Sequence, residues 1–129
     1  MRPRRPPRPT DAELAILRVL WERGPSTVRD IHEAMSDRQT TVYTTTLKFL
    51  QIMFEKGLVE RDDSRRTHVY APRLREEETQ RQLVGDLLER AFGGSAEKLV
   101  LQALSAKGIA AEDLARIRQL LDEIEGGRR

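Results

Sequence analysis

One stretch limits what this chain can build: Arg38 to Gly57, RQTTVYTTTLKFLQIMFEKG. Thr46, Phe49, Leu50 and Met53 recur at steps of 3, 4 and 7, the spacing that lays an apolar stripe along one side of an α-helix. Lys56-Gly57 ends the run with a basic last turn and the residue that most readily closes a helix. The first half differs: TTVYTTT is a run of hydroxyls following Arg38. No acidic residue occurs from Arg38 to Phe54, although charged residues make up 34% of the chain. A helix anchored at one end, with donors and no carboxylates at the other, suits insertion into the major groove of duplex DNA.

The flanking segments predict how that helix is held. Thr10-Asp11-Ala12-Glu13 has the form of a capping box and starts a helix with Leu14, Leu17, Leu20 and Trp21 as its apolar face. Gly24-Pro25 stops it. Ser26 or Thr27 opens a second helix, with Asp30 placed as a capping partner of Thr27 and with Val28, Ile31 and Met35 spaced 3 and 4 apart. Ser36-Asp37 breaks that pattern. Helices are therefore expected over about 11–23, 27–35 and 40–56. Two β-prone runs, Leu58–Asp62 and Thr67–Ala71, surround Asp63-Ser64-Arg65-Arg66 and predict a hairpin that Pro72 closes. Three helices then a hairpin is the winged helix-turn-helix order, and a short strand near Ser26 would complete its sheet. The alternative is an unrelated three-helix domain carrying a hairpin.

From Leu74 the composition shifts. One helix places Leu83, Leu87 or Leu88, and Phe92 on one side and ends at Gly93-Gly94. Ser95 caps the next, with Leu99, Val100 and Leu104; Gly108 ends it. A last helix, Glu112 to Glu125, carries Leu114, Ile117, Leu120 or Leu121, and Ile124. Three short amphipathic helices bury too little surface to stand alone. They predict a dimerisation module built on an isologous contact, the alternative being that they pack back on the first domain. The expected fold is thus mainly α: a disordered or polyproline arm over 1–9, a winged helix-turn-helix domain over 10–73 and a small three-helix dimerisation module over 74–129.

Charge is unevenly laid out. Residues 1–9 carry +4, residues 10–72 carry −1 and residues 73–129 carry −1, giving the net +2. Any nucleic-acid face must therefore be local. The Pro/Arg arm is either a solvated tail or a segment that touches phosphates or a minor groove. The chain has no cysteine, so it has no disulfide framework and no thiolate metal site. Neither a signal sequence nor an apolar membrane span is evident, and a cytoplasmic protein without membrane insertion is expected.

Candidate DNA contacts on the organising helix are Arg38, Thr41, Tyr43, Thr44, Thr45, Lys48 and Gln51. Threonine offers a hydroxyl to phosphates or base edges and a methyl to thymine; Lys48 suits phosphate or guanine, and Gln51 adenine. Thr46 belongs to the core, and Tyr43 to either the core or the contact face. The hairpin adds Arg61, Arg65, Arg66 and His68, with Asp62 and Asp63 setting the turn. Catalysis has no constellation to rest on. His32, beside Glu33, reads as a solvated surface histidine, and no cofactor or metal is expected. A winged-helix adaptor that docks a protein partner is the competing function; an enzyme is the more distant one.

Three segments carry a family resemblance: E-L-x-I-L-x-x-L-W at Glu13 to Trp21, the threonine-rich helix ending E-K-G-L-V at Glu55 to Val59, and GGS-x-x-x-L-V-L at Gly93 to Leu101. From about Thr10 to Ile124 the chain resembles the penicillinase-repressor family of the BlaI/MecI type, which also includes copper-responsive CopY repressors. The resemblance implies a homodimeric winged-helix repressor on a palindromic operator of double-stranded DNA. In antibiotic-responsive members it also implies a membrane sensor-protease that triggers cleavage in the C-terminal module. Three departures stand out. The cysteine cluster of the copper-responsive branch is absent. The Asn-Phe pair of cleavable members reads Gln102-Ala103. Ile52 stands where the family commonly has arginine.

Overall fold

In a computed structural model, which describes residues 7–36, 42–106 and 108–127, Thr10 opens α1 (Asp11–Arg23) with the predicted capping box. The Thr10 Oγ1 accepts the Glu13 N–H at 3.2 Å, and Glu13 Oε1 accepts the Thr10 N–H at 2.9 Å. The buried face of α1 is shifted by one position from the one expected. Glu13, Ile16, Leu17 and Leu20 point inward together with Val19, while Leu14 and Trp21 are only half-buried. Two polar bonds account for the shift. Glu13 enters the core because Lys56 Nζ, at 2.9 Å, neutralises it. Trp21 stays at the rim because its indole Nε1–H donates to the Leu74 carbonyl at 3.0 Å.

After Gly24, β1 (Ser26–Thr27) leads directly into α2 (Val28–Ser36). Thr27 serves both elements. It pairs with Val69 across the sheet, and it exchanges hydrogen bonds with Asp30 at 3.2 and 3.1 Å in a second capping box. Val28, Ile31 and Met35 are buried, as their spacing predicts. The third helix, α3 (Tyr43–Lys56), buries Thr46, Leu50 and Met53, with Phe49 half-buried against the same core. It ends at Gly57, whose φ of 83° is left-handed and is strained for any residue with a side chain.

The wing is β2 (Val59–Asp62) and β3 (Val69–Pro72), paired antiparallel from Val59↔Pro72 to Asp62↔Val69. The two-residue β1 adds to the other side of β3, so the sheet order is β1-β3-β2. Pro72 is tolerated in the central strand because it lies beyond the end of β1, where a missing N–H leaves no ladder bond unmade. Leu58, Val59 and Tyr70 close the core over the three helices.

Three more helices follow among the described residues: α4 (Glu76–Phe92), α5 (Ala96–Ala106) and α6 (Ala111–Gly126). The chain divides into two compact units at Val84/Gly85, inside α4. Leu74, through Trp21, and the buried Thr79 tie the linker and the first turn of α4 to the winged unit. None of the second unit's described residues is buried.

Candidate nucleic-acid interface

The core fixes which side of α3 faces outward. With Thr46, Leu50 and Met53 inside, the opposite ridge is Thr44, Lys48, Gln51 and Glu55, all exposed. Thr45 and Tyr43 are exposed on either flank. Val42 caps α3 without a side-chain hydrogen bond, and the first turn holds no acid. The partial positive charge of this helix end is therefore not cancelled locally. Glu55 marks where the acid-free ridge stops. Arg38 and Thr41 lie outside the described residues.

Tyr43 lies outside the core: it is 44% exposed, with its ring edge-on to His32 at 5.8 Å between centroids. His32 is correspondingly more than a solvated surface residue. It is half-buried, and its Nδ1 lies 3.3 Å from the Thr46 hydroxyl. It thereby joins α2 to the start of α3 and fixes the position of Tyr43.

On the far flank of the ridge, Thr45, Lys48, Phe49 and Ile52 line an open pocket whose walls are almost wholly apolar. Phe49 and Ile52 are half-buried, whereas Thr45 and Lys48 are exposed. Sequence reasoning passed over this pocket because Phe49 belongs to the core stripe and Ile52 reads as a departure rather than as a surface.

The wing separates its cations into two groups. Arg65 and Arg66 are exposed at the tip. Asp62 shapes the turn by accepting the Ser64 N–H at 2.9 Å, and the Ser64 hydroxyl and N–H hold its carboxyl below the ordinary range. Arg61 is drawn inward instead. Its guanidinium stacks on the Phe54 ring at 4.1 Å, and its Nε lies 2.7 Å from Asp63 Oδ1. Asp63 and then Tyr70 hold this guanidinium charged above its ordinary value. His68, exposed, shares the same Asp63 oxygen at 3.6 Å. The expected set is thus exposed in two places, with Tyr43, Thr44, Thr45, Lys48 and Gln51 on α3 and Arg65 and Arg66 at the wing tip, while Arg61 braces the wing against the last turn of α3.

A second surface belongs to α4, α5 and α6. Of the positions expected at a dimer contact, Leu83, Leu88, Phe92, Leu99, Leu114 and Ile117 are half-buried in the single chain. Leu87, Val100, Leu104, Leu120, Leu121 and Ile124 are exposed. Val84, at 48%, and Leu101, at 54%, are also exposed and were not foreseen. Gln102 and Ala103 lie exposed on α5. Among the described residues no helix is long and apolar enough to cross a membrane.

Comparison with known proteins gives concordant results. The family described as Penicillinase repressor matches residues 9–123. Transcriptional regulator BlaI of Mycobacterium tuberculosis is 34% identical over 118 residues, covering 91% of this chain and 85% of that protein. The penicillinase repressor of Bacillus licheniformis is 24% identical over 117 residues, covering 91% of each. Two solution structures share the fold of the first unit. One is Bacillus licheniformis BlaI in its monomeric form in complex with the blaP half-operator; the other is the DNA binding domain of the repressor BlaI. Each aligns with a TM-score of 0.51 at 24% identity, over 57% of this chain and 90% of the other.

Proposed function

This chain belongs to the penicillinase repressor family, and from that premise we propose that it is a cytoplasmic DNA-binding transcriptional repressor working as a homodimer on a two-fold operator. The observation that carries the reading is the exposed, acid-free ridge of α3 on a winged scaffold, with Thr44, Thr45, Lys48 and Gln51 outward and Arg65 and Arg66 exposed at the wing tip. In this reading α3 enters the major groove. Its hydroxyls and Gln51 meet base edges, and Lys48 and the wing tip meet phosphates. A copy of the chain bound to a two-fold site presents a second α3 about one helical turn away, roughly 34 Å along the duplex. The absence of any buried residue in the described part of the second unit supports α4 to α6 as the joint between copies.

The wing arginines have different tasks in this arrangement. A salt titration of operator affinity separates them. Lys48→Ala and the double change Arg65→Ala, Arg66→Ala are expected to weaken binding and to lower the slope of log K against log salt by about one for each phosphate left without its cation. Arg61→Ala is expected to weaken binding through a loosened wing while leaving that slope unchanged. Wild-type slopes for all the variants would remove Lys48, Arg65 and Arg66 from the interface.

A further inference from the structure

The pocket formed by Thr45, Lys48, Phe49 and Ile52 is unusual for a face that meets nucleic acid. Its lining is almost wholly apolar, so Lys48 contributes its methylene stem and Thr45 its methyl. Phe49 packs on the hydrophobic core, which fixes the floor. Its surroundings suit a polyanion: no carboxylate occurs on α3 before Glu55, and the exposed Lys48 brings a cation to it.

Base edges in the major groove present donors, acceptors and one apolar group, the thymine C5-methyl. A pocket without polar atoms strips water from a donor or acceptor and returns no hydrogen bond, whereas a methyl loses nothing by entering. We infer that this pocket receives a thymine methyl, so that α3 selects thymine at one position in each half-site by apolar contact. The inference rests on the DNA-binding reading and adds to it a base preference and the residues that set it. Ile52 and Thr45 are the specificity-determining pair, and Lys48 anchors the neighbouring phosphate.

The test uses the full-length protein and a duplex that it selects from a random pool. Each thymine of that duplex is replaced singly by deoxyuridine, which removes the methyl and keeps the pairing. One position per half-site is expected to lose about fourfold in affinity, the loss that one buried methyl brings, and about fifteenfold when both half-sites are changed. Ile52→Ala is expected to bind the two duplexes alike. Thr45→Ser, which deletes one methyl from the wall and keeps the hydroxyl, is expected to narrow the difference and serves if Ile52→Ala fails to fold. Selection of no duplex above bulk DNA would overturn the DNA-binding reading itself. Tight binding with no uridine-sensitive position would overturn only the methyl pocket. Discrimination that persists in both variants would also overturn it, by assigning the methyl to other residues.

Discussion

Glu13 shows how one side chain ties the winged unit together. It is 2% exposed, closes the capping box of α1 and reaches Lys56 at the end of α3. Burial pushes its carboxyl up, but the Thr10 backbone N–H and the Lys56 ammonium outweigh that and hold it below the usual 4.5. A carboxyl depressed on folding contributes stability in full above its unfolded value and loses it as pH falls through the folded one. The wild-type protein should therefore lose stability below about pH 4.5, and Glu13→Gln should flatten part of that loss in melts at pH 3 to 7. Lys56→Ala leaves the carboxylate buried and unpaired. It should cost about 2 kcal/mol at neutral pH in urea titrations, less than for a fully buried pair because the lysine reaches solvent.

At the scale of elements, the turn from α3 into β2 sets the angle between the outward ridge of α3 and the wing. Gly57 makes it possible with a left-handed φ, and the Leu58 N–H closes the turn on the Met53 carbonyl at 2.9 Å. A Cβ at Gly57 would also stand 2.9 Å from Arg73 Nη1, the mobile end of a side chain that can give way. The cost of Gly57→Ala is then mainly conformational, about 1–2 kcal/mol, read as a shift in the urea midpoint at constant m. Across the same junction, Arg61 on Phe54 joins β2 to α3. The helix, its stop and the hairpin were all legible from Lys56-Gly57 and the two β-prone runs. The stacking of Arg61 was not, because strand alternation cannot tell a cation that faces solvent from one that lies over an aromatic ring on a neighbouring helix.

For the whole molecule, the division at Val84/Gly85 separates a unit with a core from one in which no described residue is buried. A protein ending at Val84 should fold as a monomer and bind operator far more weakly than the full chain, as sedimentation and a gel shift would report. One ending at residue 73 loses the Trp21–Leu74 bond and Thr79, and should melt at a lower temperature than the protein ending at Val84. A dimeric truncated protein would refute the role proposed for α4 to α6. The compositional shift at Leu74 marks where the sequence changes character. It does not reveal that Leu74, in the linker before α4, is held by the winged unit, because that depends on Trp21, more than fifty residues earlier.

The amino-acid sequence by itself determined the helices, the caps at Thr10, Thr27, Ser95 and Gly57, the hairpin and the hydroxyl-rich, acid-free side of α3, since each follows from spacing and chemistry within a few turns of chain. It also led to the expectation that the last three helices bury little surface by themselves, and no described residue of the second unit is buried. Tertiary structure decided what depends on partners distant in the chain. It took Glu13 inside to meet Lys56, kept Trp21 at the rim, turned Arg61 inward and set Tyr43 outward against His32. It also opened the apolar pocket at Ile52. Local patterning measures how a side chain suits its own helix or strand. Whether a charge or a ring faces solvent depends on which group the rest of the fold brings beside it.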